Sequence, residues 1–253
     1  MSEVIIHDSL LLPDGVILPA VLKRRLHNVV VFSHGLDPKR LDHETDEYVD
    51  IVNQGCLQSN TSFVGYTVRG HGASQGWQDI ESVEQFHWRS LAADMTHVIQ
   101  NHFQFPRFIV GGHSMGAATS VYCAIENSEK IDGMILVRPP CAWASRTARK
   151  KHLLSHAEKS KEDGSLSYKV LEGAAHTNLP PLRDDQNYCE TYDRIKCPVL
   201  ILGYKNDPVH PVETIETLAQ LIPHAEIHIM EDEQTAKSSW DKIICDFLIR
   251  INI

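Results

Sequence analysis

The chain has 253 residues and a formal charge of −9, with 42% hydrophobic and 23% charged residues. That balance suits one sizeable soluble domain with no second core, and no apolar run approaches the ~20 residues of a membrane span. The only dense basic cluster, Arg146, Arg149, Lys150 and Lys151, reads as a solvated helix face, which argues against a nucleic-acid partner.

The first element is a hairpin, residues 4–12 and 16–23, around the turn triplet Pro13-Asp14-Gly15. Residues 27–32 contain Val29-Val30-Val31-Phe32, a run suited to a strand buried on both faces, and lead into Ser33-His34-Gly35-Leu36. A helix over 42–54 is expected to be closed by Gly55, and a strand over 62–66 precedes Arg69-Gly70-His71-Gly72-Ala73-Ser74. Residues 82–101 carry apolar side chains at helical spacing, with Ser82 and Gln85 as a capping box. Strands at 108–111 and 133–137 flank a helix reaching about residue 125, and Arg138-Pro139-Pro140 stops the second strand. Residues 141–192 turn polar and helical. Trp143, Leu153, Leu154 and Leu171 are available there either to face a pocket or to pack the insertion itself. A strand at 197–203, the loop Tyr204 to Pro211, a helix at 213–221, a strand at 226–230 and a helix at 239–249 complete the chain. Alternation at this pitch predicts an α/β fold: a doubly wound, mostly parallel, eight-stranded sheet whose ligands bind beyond the carboxyl ends of the strands.

Six cysteines (Cys56, Cys123, Cys141, Cys189, Cys197, Cys245) form no C-x-x-C pair and no zinc spacing. They read as reduced thiols in a cytoplasmic protein, several of them buried. The opening Met1-Ser2-Glu3-Val4 has no basic region leading into an apolar core, so no secretory signal is expected.

The densest chemical signal is Gly112-His113-Ser114-Met115-Gly116, a G-x-S-x-G between a strand and a helix of small residues. Glycines two before and two after Ser114 let the backbone double back and push the hydroxyl out of the sheet edge. In this context the chain resembles the α/β-hydrolase superfamily over nearly its whole length. The resemblance implies a serine nucleophile at Ser114 and an oxyanion hole made by the N–H of Met115 and that of Leu36, after the His34-Gly35 pair. It implies a core of residues 1–140 and 193–253, with 141–192 as a short helical cap. The Arg69 loop is then a framework element. The triad acid of the superfamily matches Asp207, on the loop after Gly203.

One part of the pattern is missing. The superfamily's histidine follows the last strand, but residues 231–253 contain none. His224 precedes that strand and sits at the opposite edge, while His228 lies two residues short of its end, ~7 Å below the active edge. His210, three residues after Asp207, is the one candidate base after Asp207 on the correct face; the alternative is that it caps the next helix or packs beneath the loop. His34, His71, His113 and His176 are near the presumed site, with His113 expected to point down into the fold.

Two readings follow. The first is a serine hydrolase of a small ester, thioester or related acyl substrate, using Ser114, His210 and Asp207, with no metal and no organic cofactor. The second is a hydrolase-fold binding protein with an incomplete triad and little turnover.

Overall fold

The computed structural model describes residues 3–37, 39, 42–182 and 191–252. Eight strands form one sheet: β1 (Val4–Leu11), β2 (Ile17–Arg24), β3 (His27–Ser33), β4 (Thr61–Tyr66), β5 (Phe108–His113), β6 (Ile131–Val137), β7 (Val199–Tyr204) and β8 (Ala225–Met230). Their spatial order is β1-β2-β4-β3-β5-β6-β7-β8. β2 pairs antiparallel with β1 and β4, and every other pairing is parallel. The carboxyl ends of β3, β5, β6 and β7 therefore open on one edge.

Strand periodicity divides the apolar residues between two cores. Val29, Val31, Phe108, Val110, Met134, Leu136, Val199 and Ile201 face one layer. There they meet α2 (Trp88–Thr96), α3 (Met115–Glu126) and α6 (Val212–Leu221). Val30, Phe32, Ile109, Ile135, Val137, Leu200 and Leu202 face the other. That layer holds α1 (Glu47–Gln58) and α8 (Trp240–Ile251), with α7 (Glu233–Lys237) at its end.

Two elements differ from expectation. α1 begins at Glu47, capped by the Asp46 side chain, and runs past Gly55 to Gln58. Gly55 does not close the helix but lies where α8 crosses it: a Cβ there would sit 2.7 Å from Ile244 Cγ2. Residues 82–101 are not one helix. Ser82 caps only a 3-10 turn, Val83–Phe86, His87 is extended, and α2 starts at Trp88, whose N–H donates to Thr177 Oγ1 at 3.3 Å. The break follows from packing against α5 (Ser167–Ala175), because Phe86 presses on Gly173, where a Cβ would meet the ring-bearing carbon at 2.5 Å.

Between β6 and β7 lie α4 (Arg146–Glu162) and α5. The expected cap, 141–192, lies partly outside the described residues.

Candidate active site

β5 ends at His113 and α3 begins at Met115, so Ser114 carries the whole reversal, at φ 52° and ψ −110°. A non-glycine residue in that region is strained by ~1–3 kcal/mol, and such strain persists only where the surroundings enforce it. They do so here. A Cβ on Gly112 would lie 2.1 Å from the Gly116 carbonyl carbon, and one on Gly116 would lie 2.1 Å from the Ser33 carbonyl oxygen. Ser114 N–H donates to Val137 O at 3.0 Å, leaving the half-buried hydroxyl at the cavity beyond the strand ends.

The loop after β7 brings an imidazole to that hydroxyl. Asp207 Oδ1 accepts from the backbone N–H groups of Val209 and His210 at 3.1 and 3.2 Å, winding the four residues into a tight turn. Within it, His210 Nδ1–H donates to Asp207 Oδ2 at 2.9 Å, which leaves Nε2 to accept from Ser114 Oγ–H at 2.8 Å. The structure thus joins Ser114, His210 and Asp207 in one chain of hydrogen bonds. Burial of His210, only 7% exposed, pushes its imidazole down to about 4, with the Arg138 charge acting the same way and Asp207 opposing. Burial acts to raise Asp207, but the hydrogen bonds and charges of His210 and Arg138 outweigh it and hold the carboxyl well below its usual range.

Arg138 was legible in the sequence only as the end of a strand. Its Nε and Nη2 donate to Asp207 Oδ2 at 2.9 and 2.6 Å, and Nη1 donates to Tyr48 Oη at 2.7 Å. The guanidinium lies between the Tyr48 and Tyr204 rings, 4.9 and 4.8 Å from their centroids. Tyr48 in turn donates to Glu233 Oε1 at 2.9 Å, from α7. The segment after β8, where the superfamily's histidine is expected, therefore supplies a carboxylate that supports Arg138.

Leu36 and Met115 line the same cavity, and neither backbone N–H is taken by another described residue. Asp46 fixes their surroundings: Oδ2 accepts from Gly35 N–H and from His113 Nδ1–H, each at 2.9 Å, while Oδ1 caps α1 through Tyr48 N–H at 3.0 Å. An N-cap residue ahead of a helix was the available signal for Asp46, and starting the helix at residue 42 concealed it.

The other histidines serve elsewhere. His34 donates through Nδ1 to Gly35 O at 2.8 Å and accepts from Val68 N–H at 3.0 Å, pinning the β3 loop to the end of β4. His71 bonds Arg69 O at 3.1 Å, and exposed His176 bonds Glu172 O at 2.9 Å. His224 precedes β8, and His228 within it bonds Glu226 Oε1 at 2.7 Å.

The cavity measures about 130 Å³. Of the four apolar candidates, Leu153 lines it, whereas Trp143 donates instead to Pro180 O at 2.8 Å, and Leu154 and Leu171 pack around Leu153, Ala174 and Ala175. The basic cluster needs correcting: Arg146 is buried and Arg149 half-buried, both line the cavity, and only Lys151 of the four is fully on the solvent face. Helical spacing places 146, 149 and 153 on the inward side of α4.

The sequence profile of the serine aminopeptidase, S33, family matches residues 25–163, more than half the chain and including the elbow. The chain belongs to this family. This S33-family α/β-hydrolase is 25% identical over 199 residues to 3-oxoadipate enol-lactonase 2 of Acinetobacter baylyi, covering 69% of the chain and 72% of the relative. It is 37% identical over 70 residues to the monoglyceride lipase of Rattus norvegicus, a match of 28% of the chain that spans about a quarter of that lipase, 23% of its length. The esterase EaEST of Exiguobacterium antarcticum superposes with a TM-score of 0.74 at 15% identity, covering 96% and 99% of the two chains. That likeness bears on the fold. No helix of the described residues is long and apolar enough to cross a membrane.

Proposed function

We propose that this α/β-hydrolase cleaves a small ester, thioester or related acyl compound through an acyl-enzyme on Ser114. His210 Nε2 takes the Ser114 proton as Oγ attacks the acyl carbon, and the leaving group departs with that proton. Water then attacks the acyl-enzyme with His210 again as base, releasing the free acid and restoring the serine. Asp207 holds the imidazole in the tautomer with Nε2 unprotonated, and the free N–H groups of Leu36 and Met115 receive the developing oxyanion. The carrying observation is the 2.8 Å contact between Ser114 Oγ and His210 Nε2, backed by the 2.9 Å bond to Asp207. Residues 141–192 act in this reading as the cap, supported by Leu153 and Ala174 lining the cavity. A reducing, cytoplasmic setting is part of the same proposal, supported by the five described cysteines, all free and buried.

A fluorophosphonate probe tests the assignment. Rapid stoichiometric labelling is expected, absent in Ser114→Ala and at least ~10³-fold slower in His210→Ala. Labelling of His210→Ala at the wild-type rate would remove the base assignment. Sluggish wild-type labelling would favour the binding-protein reading.

A further inference from the structure

The largely buried guanidiniums of Arg25, Arg69 and Arg138 each face a carboxylate, that of Glu3, Asp94 and Asp207 respectively. The two arginines of the cavity do not. Arg146, 6% exposed, gives three of its five N–H donors to carbonyls, those of Ala174 at 2.6 Å, Thr177 at 3.2 Å and Cys141 at 3.5 Å. Its guanidinium lies 4.3 Å from the centroid of the Trp88 ring. Arg149, one turn on, makes no ion pair or hydrogen bond with another described side chain. Carbonyl dipoles and an aromatic face satisfy donors, but they do not neutralise a unit charge in a poorly solvated site. Two like charges a turn apart raise the cost further. Both residues border the cavity that holds Ser114, Leu36 and Met115.

We propose that the substrate carries a carboxylate, received by Arg146 and Arg149 while Ser114 attacks the ester or thioester carbonyl. The site that binds the anion is independent of the chemistry, whereas the position of the carboxylate relative to the scissile bond rests on the acyl-enzyme reading above. The cavity of about 130 Å³ opens to solvent and is near the size of one that takes a benzene ring, so the part of the substrate between the carbonyl and the carboxylate is short, a few carbons. Arginine suits the task because its charge is permanent and its planar fork matches a carboxylate in two places.

The experiment compares kcat/KM for monoethyl succinate, which carries the carboxylate on the acyl side, with that for ethyl pentanoate. A parallel arm compares 3-acetoxypropanoate, with the carboxylate on the alcohol side, with butyl acetate. The acidic member of at least one pair is expected to win by ~10-fold or more, and the preference should narrow as salt is raised. Arg149→Met should lower the ratio by ~10-fold, and Arg149→Lys should restore part of it. Lys151→Met, which removes the same charge from the outer face of α4, should leave the ratio in place. Arg146 also holds three carbonyls, so the half-buried Arg149 is the variant on which the test turns. Calorimetry on Ser114→Ala, with monoethyl and diethyl succinate, 3-acetoxypropanoate and butyl acetate, reads the anion site without turnover. Preference for an acidic ligand with no ester hydrolysed by the wild type keeps the anion site and overturns the acyl-enzyme reading. Hydrolysis without acidic preference in either arm, or a ratio indifferent to Arg149→Met, overturns the carboxylate.

Discussion

Removing the Arg138 charge should move the acid limb of catalysis upward. Arg138 Nε and His210 Nδ1 both lie 2.9 Å from Asp207 Oδ2. The two nitrogens are therefore within ~6 Å of each other, and two unit charges at that distance repel by ~3 kcal/mol at an effective dielectric of ~20. That corresponds to ~2 pKa units, and solvent screening of the partly exposed arginine reduces it to ~1 or 2. The sign is fixed: the cation opposes protonation of the imidazole, so its loss raises the His210 value from about 4 toward the ordinary range. Freeing Asp207 to serve His210 alone acts in the same direction. Because the proposed base must be neutral, kcat/KM of Arg138→Met should fall by ~2- to 10-fold at pH 5 relative to wild type, with the deficit shrinking toward pH 8. Arg138→Lys keeps the charge and should leave the limb near its original position. The assay is a kcat/KM profile from pH 4 to 9, with thermal melting as a check on folding. A limb that stays in place in Arg138→Met, or moves to lower pH, refutes the electrostatic argument; a uniform loss at every pH assigns Arg138 to positioning alone.

Three further outcomes are expected. Gly116→Ala should destabilise by ~3 kcal/mol or more, since its Cβ would meet the Ser33 backbone oxygen at 2.1 Å and neither β3 nor α3 can yield cheaply; chemical denaturation reads this. Asp46→Ala releases Gly35 N–H and His113 together and should cut kcat/KM by ~10-fold or more, while costing ~1–3 kcal/mol in a denaturant titration through the lost cap and buried donors. Stability should also decline with acid. His210, lowered from 6.5 to about 4, binds fewer protons folded than unfolded, so its contribution is complete above pH 6.5 and disappears as pH falls to about 4. Asp207, held below its ordinary value, extends the loss to lower pH, and a Tm series from pH 7 to 4 should be flatter in His210→Asn.

The β-sheet was legible because its signals are local and redundant. Val29 to Phe32 and Val199 to Leu202 are apolar on both faces, and the observed division of alternate residues between two cores is what such runs demand. The elbow was legible for a different reason, since only small residues at 112 and 116 allow the approach seen there. Pairings across long separations were not. Arg138 meets Tyr48 across 90 residues and Asp207 across 69, and Asp46 meets His113 across 67. Charge density alone misassigned Arg146 and Arg149, because the side of α4 that turns inward depends on what α5 and Trp88 place beneath it. The helix expected over 82–101 failed on the same ground: its periodicity is real, but contact with α5 divides it at His87.

The departure from the superfamily's histidine position has a structural logic. β7 and β8 are adjacent and parallel, so the loops beyond both begin on the same edge, ~5 Å apart, and in this chain it is the β7 loop that reaches the oxygen of Ser114. In the proposed assignment, taking the imidazole from the β7 loop places acid and base in one four-residue turn, where Asp207 Oδ1 is already committed to the backbone of Val209 and His210. Oδ2 alone remains for the imidazole, and a single oxygen is a weaker orienting group than a whole carboxylate. Arg138 restores the rigidity by holding that same oxygen with two N–H donors, while Tyr48 and Glu233 hold Arg138. The segment after β8 carries no histidine; it forms α7 and contributes Glu233. If His210 is the base, as proposed, its position changes the requirements on three other side chains, and its depressed value is partly the electrostatic consequence of Arg138.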